Sequence, residues 1–146
     1  MATALGDVAK GAAAMVLPRV LPMPEVAVVF AAVAVVGGHI WPIFLQFRGG
    51  AGLATALGAT FVALPRESLI LLIPFVVLVA TVGRKWELGV TGALLLIPFI
   101  ALTWWFGEPP ELIGLPIVLT ALVGARVYWR EMGEVLQRIF TRSPEK

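Results

Sequence analysis

The sequence predicts an all-α, polytopic transmembrane helix bundle of about six hydrophobic segments, some of them short or half-spanning. Three observations carry that expectation. Of 146 residues, 60% are hydrophobic and only 14% charged, and the mean hydropathy of +0.96 lies well above that of an ordinary soluble domain. The apolar residues fall into successive runs bounded by charges and prolines: Met15 to Met23, Val26 to Phe47, Leu53 to Pro65, Leu69 to Gly83, Leu88 to Gly107 and Leu112 to Ala125. The basic residues are also shared unevenly between the segments that join these runs.

A spanning helix needs roughly 20 apolar residues, or about 17 when flanking side chains snorkel. The runs that start at Val26 and Leu88 meet that length. Leu69 to Gly83 and Leu112 to Ala125 are shorter, but Arg84, Lys85, Trp104, Trp105, Tyr128 and Trp129 stand near run ends, where basic and aromatic side chains anchor a helix at the interface. Met15 to Met23 and Leu53 to Pro65 read as short spans, half-helices or helices shielded by their neighbours. The chain reads as a single membrane-integral domain over residues 1–146, with residues 141–146 expected to fray as a tail. No signal peptide is expected, because Asp7 and Lys10 are followed by Gly11 to Leu17 and Pro18 without a cleavage pattern.

With six crossings and a cytoplasmic start, one face collects Lys10, Arg48, Arg84, Lys85, Arg126, Arg130, Arg138, Arg142 and Lys146, and the other only Arg19 and Arg66. That bias predicts both termini and the Arg48 to Gly52 segment on the cytoplasmic side. The opposite loops then hold Glu25, Glu67, Glu108 and Glu111, with a tight turn at Gly107 to Leu112.

The composition excludes several chemistries. Without cysteine there is no disulfide or thiolate nucleophile, and one histidine makes no metal site alone. No charge lies in the middle of the two longest runs, which argues against a proton relay or voltage sensor. Neither a cofactor nor a nucleic-acid partner is expected. The basic tail reads as a juxtamembrane helix facing anionic lipid headgroups.

The interruption of the apolar pattern lies at His39 to Thr60, where "RGGAG" at 48–52 leads into "LATALGAT". Glycines ahead of a helix suit an anion, since unobstructed N–H groups converge and the helix start adds partial positive charge. Arg48 adds a planar donor fork matched to phosphate oxygens, and Thr55 offers a hydroxyl. The nucleotide pattern G-x-x-x-x-G-K-[ST] is absent. A glycine cluster between membrane helices also serves as a turn or a close-packing surface. His39 reads either as an interhelical hydrogen-bonder or as a weak general base.

The stretch "GGHIWPIFLQFRGGAGLATALG" resembles the second signature of the bacterial acyl-phosphate:glycerol-3-phosphate acyltransferases, approximately G-H-x-x-P-x-F-x-x-F-[KR]-G-G-K-G-x-A-T-x-x-G. Gly38, His39, Pro42, Phe44, Phe47, Arg48, Gly49, Gly50, Gly52, Ala54, Thr55 and Gly58 fall in register. "LGDVAKGAAAMVLP", Leu5 to Pro18, is similar to the family's L-D-x-x-K-G-x-x-P segment through Asp7, Lys10 and Gly11.

The resemblance implies an integral enzyme of the bacterial plasma membrane, with glycerol 3-phosphate, acyl phosphate and membrane lipids as partners and lysophosphatidic acid as product. It implies that Arg48, Gly49, Gly50, Gly52 and Thr55 bind the substrate phosphate, that Asp7 and Lys10 border the site, and that His39 is the catalytic candidate. Three features depart from the family. Its S-G-N-x-G-A-T-N signature, expected with a further span ahead of Asp7, has no counterpart in these 146 residues; Ala51 stands in place of a lysine; and Trp129 and Met132 occupy histidine and asparagine positions of the third signature. A noncatalytic relative that retains an anion-binding loop, or a small membrane transporter, are the alternative readings.

Overall fold

The computed structural model describes residues 2–42, 49–82 and 88–141. Among them the chain forms six α-helices and no strand: α1 (Ala2–Val20), α2 (Glu25–Ile40), α3 (Leu53–Ala63), α4 (Pro65–Val82), α5 (Leu88–Trp105) and α6 (Pro110–Thr141). The six hydrophobic runs thus correspond to six helices.

The closest helix pairing is that of α1 with α3, and glycine on both helices allows it. A Cβ on Gly11 would collide with the backbone carbonyl oxygen of Thr55, and one on Gly58 with that of Val8. Small residues at such positions let backbones approach where lipid supplies no hydrophobic drive between helices. On α2, Val28, Ala32, Val36 and Ile40 recur every fourth residue and are wholly buried, so one stripe of this helix faces the core. On α6, Leu112, Leu115, Leu119 and Val123 form the matching stripe. Helix α2 packs on α1, α3 and α6, while α5 packs between α4 and α6.

The outer surfaces are apolar. Ile73 on α4 is 72% exposed and Ile97 on α5 is 76% exposed, which suits lipid rather than water. Residues Pro110–Arg130 of α6 form 21 residues of mean hydropathy 1.7, about 30 Å of helix and enough to cross the hydrocarbon core. It is the one described helix that meets both the length and the hydropathy of a span. Helix α3, with 11 residues, is about 16 Å long, which is half-spanning, one of the readings open for its run.

Several boundaries differ from the sequence expectation. Helix α1 begins at Ala2 rather than near Met15, placing Asp7 and Lys10 within the helix. Helix α6 continues past Ala125 to Thr141, so most of the basic tail extends the last span; Thr141 is its final residue, and 142–146 lie outside the described residues. Only Leu64 separates α3 from α4. Glu67, expected in a loop, therefore lies in the first turn of α4, fully buried and with neither carboxylate oxygen hydrogen-bonded. Glu25 and Glu111 also occupy first turns, where a negative charge complements the helix dipole.

The turn expected at Gly107 to Leu112 is tight. Glu108 N–H donates to Thr103 O at 3.0 Å and Gly107 N–H to Trp104 O at 3.1 Å, with Gly107 at φ 71°. This is a Schellman ending for α5, and Pro110 opens α6 directly after it. At the same end, Arg19 donates to both oxygens of Glu25 at 3.0 and 3.1 Å and to Ala63 O at 2.5 Å. One guanidinium thereby ties the end of α1 to the start of α2 and the last turn of α3.

Candidate active site

The functional candidates gather at the other end of the bundle, where α2 finishes and α3 begins. Helix α2 ends on Ile40, and Trp41 N–H closes it by donating to Gly37 O at 2.8 Å. His39 thus sits in the last turn, half-buried, and its Nδ1 lies 3.5 Å from Asp7 Oδ1 on α1. The sequence treated these two residues separately. The structure brings them together because the α1–α3 contact holds α1 alongside the end of α2.

The glycine turn folds back over this histidine. A Cβ on Gly50 would lie 2.5 Å from His39 Nε2, and one on Gly49 would run into the carbonyl oxygens of His39 and Ile40. Any side chain at either position would push the turn off the ring. Gly52 is the N-cap of α3 at φ 83°, a left-handed conformation that L side chains rarely adopt. Its carbonyl accepts from Ala56 N–H at 2.8 Å, which starts the helix, and no side chain caps that start. The first-turn N–H groups of α3 have no intrahelical acceptor, and they carry the positive end of the helix dipole.

Asp7 Oδ1 faces His39 Nδ1, and a carboxylate on that side of an imidazole favours a proton on Nδ1 and leaves Nε2 as the acceptor. The described geometry is therefore a carboxylate, an imidazole and a glycine turn in sequence. An unprotonated Nε2 in that position can take a proton from a hydroxyl, and the N–H groups of a helix start suit an anion.

The remaining candidates are placed differently. Lys10 is exposed on α1, one turn beyond Asp7. Thr55, expected to orient a phosphate oxygen, lies inside the α1–α3 contact instead, 0% exposed and with its hydroxyl unpaired. The glycine at position 11 draws α1 onto this turn of α3 and closes off the side chain. Arg48 lies outside the described residues. No group of three or more metal-ligating side chains occurs among the described residues.

Sequence reasoning missed one contact. Arg126 on α6 donates through Nη2 to Gly49 O at 3.3 Å, across 77 positions of sequence. The stripe on α6 held the signal: residues 112, 115, 119 and 123 face inward, and the next member of that series is Arg126.

Among the described residues, an all-helical bundle with an apolar surface and a glycine turn over a histidine that faces a carboxylate has the architecture of a membrane-integral protein. The profile of the glycerol-3-phosphate acyltransferase family matches residues 1–141, and the chain belongs to that family. It is 39% identical over 130 residues to the glycerol-3-phosphate acyltransferase of Laribacter hongkongensis, covering 85% of this chain and 62% of the relative. The enzyme of Rubrobacter xylanophilus is 38% identical over 129 residues, covering 88% and 61%.

Among solved structures, the chain is similar to PlsY (YgiH), an integral membrane glycerol 3-phosphate acyltransferase. Its lysophosphatidic acid form superposes with a TM-score of 0.70 at 25% identity, over 90% of this chain and 65% of that one. Its glycerol 3-phosphate form matches in fold with a TM-score of 0.68 at 23% identity, over 96% and 67%. The chain spans about three-fifths of the length of the curated relatives it matches.

Proposed function

We propose that this chain transfers a fatty acyl group from acyl phosphate to the carbon-1 hydroxyl of glycerol 3-phosphate, forming lysophosphatidic acid and inorganic phosphate. Family membership supports the reaction class. The observation that carries the reading within the chain is His39 Nε2 lying under Gly50 while Nδ1 meets Asp7 at 3.5 Å.

In this reading the turn Gly49–Gly52 and the start of α3 hold the phosphate of glycerol 3-phosphate, with Arg48 pairing to it as a fork. The hydroxyl oxygen attacks the carbonyl carbon of the mixed anhydride, and the bond from that carbon to the phosphate oxygen breaks. Inorganic phosphate leaves with the bonding electrons. The hydroxyl proton passes to His39 Nε2, and from there to the departing phosphate or to water. An acyl phosphate is already activated, so proximity and charge neutralisation supply most of the acceleration. No cofactor takes part.

The site lies at the cytoplasmic end, and each substrate has its own medium. The acyl chain lies among apolar helices, and glycerol 3-phosphate arrives from water. Asp7 and Lys10 border the entrance from α1.

The test is acyl transfer by the purified 146-residue chain in detergent, with acyl phosphate and labelled glycerol 3-phosphate. Arg48→Ala is expected to lower the yield of labelled lysophosphatidic acid by about tenfold or more, the value of a charge-assisted hydrogen bond. Equal yields from the two chains would remove Arg48 from the site.

A further inference from the structure

We infer that Arg126 is a positioning residue for the phosphate-binding turn, an inference that rests on the acyltransfer reading above. Position 126 continues the buried stripe Leu112, Leu115, Leu119 and Val123, spaced by three, four, four and three residues. Each earlier member is apolar and at most 5% exposed. A guanidinium as the next member, half-buried, needs a polar partner to offset its desolvation. The structure supplies one, Gly49 O at 3.3 Å from Nη2.

The consequence lies in the peptide unit. In a trans peptide the C=O and the following N–H point in opposite directions, and no described peptide bond is cis. Fixing Gly49 O toward α6 therefore turns the Gly50 N–H away from the guanidinium. The same Gly50 rests against His39 Nε2, so the unit is held on one side by Arg126 and on the other by the imidazole. Glycines have the least backbone restraint of any residue, and this turn has them at 49, 50 and 52. Without an external acceptor-side anchor, the Gly49–Gly50 peptide rotates, and a donor to the substrate phosphate is lost. None of residues 49–52 carries a charge, so the anchor comes from another helix.

The experiment compares the wild-type chain with Arg126→Met, which keeps the aliphatic stem but no donor, and Arg126→Lys, which restores one donor of similar reach. Two quantities are read: the steady-state constants for glycerol 3-phosphate, and amide exchange at residues 49–52 relative to 65–75. Arg126→Met is expected to raise KM by about tenfold with kcat changed less than about threefold, and to speed exchange only at 49–52. Arg126→Lys is expected to restore both. Unchanged KM and exchange in Arg126→Met would overturn the inference while leaving the acyltransfer reading intact, and so would faster exchange at both segments.

A wild-type chain that binds glycerol 3-phosphate without turnover fails the acyltransfer reading. The same Met and Lys pattern in its dissociation constant and amide exchange would still uphold Arg126. A chain that neither binds nor turns over fails both.

Discussion

Gly58→Ala is expected to destabilise the chain by about 1–3 kcal/mol, the cost of forcing a methyl group into a packed contact, and to reduce acyl transfer with it. The atoms nearest the new Cβ would be backbone of α1, the Val8 carbonyl oxygen first, then Val8 C at 2.8 Å and Ala12 N at 3.0 Å. Neither can move aside by a rotamer change, so the helix itself must shift. Because α1 carries Asp7, that shift separates the carboxylate from His39 Nδ1, now 3.5 Å away. Thermal unfolding in detergent reads the first effect and product formation the second. Gly37→Ala is the control: a Cβ there meets nothing within 4 Å, and its effect is expected to stay within about 0.5 kcal/mol. Equal losses from both substitutions would show that close helix approach is not what Gly58 provides.

His39→Ala is expected to lower kcat by about 10²–10⁴-fold, the range for removing a positioned general base. Asp7→Asn leaves the imidazole but replaces the carboxylate facing its Nδ1 with a neutral amide, and a smaller fall in kcat is expected. Steady-state rates at saturating acyl phosphate measure both. A His39→Ala chain that keeps half of its kcat would show that the substrate phosphate takes the proton itself, leaving His39 to support the turn.

The two effects come from features of different legibility. The glycine turn lay in the sequence outright, because three glycines within four residues before a helix-forming run leave few other readings. The six helices followed from the alternation of apolar runs with prolines and charges. Their ends were harder to place. Hydropathy alone started the first segment at Met15, although Ala2 to Ala14 is rich in alanine, a strong helix former, and the helix takes it in. The same measure stopped the last segment at Ala125, whereas arginine, glutamate, methionine and leucine carry α6 onward.

The tertiary contacts were less accessible. The topology puts the start of the chain and the Arg48 to Gly52 segment at one membrane face, but the 3.5 Å approach of Asp7 to His39 depends on how Gly11 and Gly58 bring α1 onto α3. That packing also explains Thr55. Its signature position suggested a phosphate ligand, while the neighbouring helix encloses it completely. Arg126 was grouped with the basic residues of one face by charge alone. Its contact with Gly49 follows from the helical period of α6, which turns position 126 inward.

In the proposed reaction this chain couples cleavage of an acyl phosphate to acylation of glycerol 3-phosphate at the His39 end. The most direct measurement follows inorganic phosphate and labelled lysophosphatidic acid together as the purified chain acts on the two substrates. Both are expected to accumulate in equal amounts, with phosphate release stopping when glycerol 3-phosphate is withheld. Phosphate released without lysophosphatidic acid, or neither product above the protein-free rate, would contradict it.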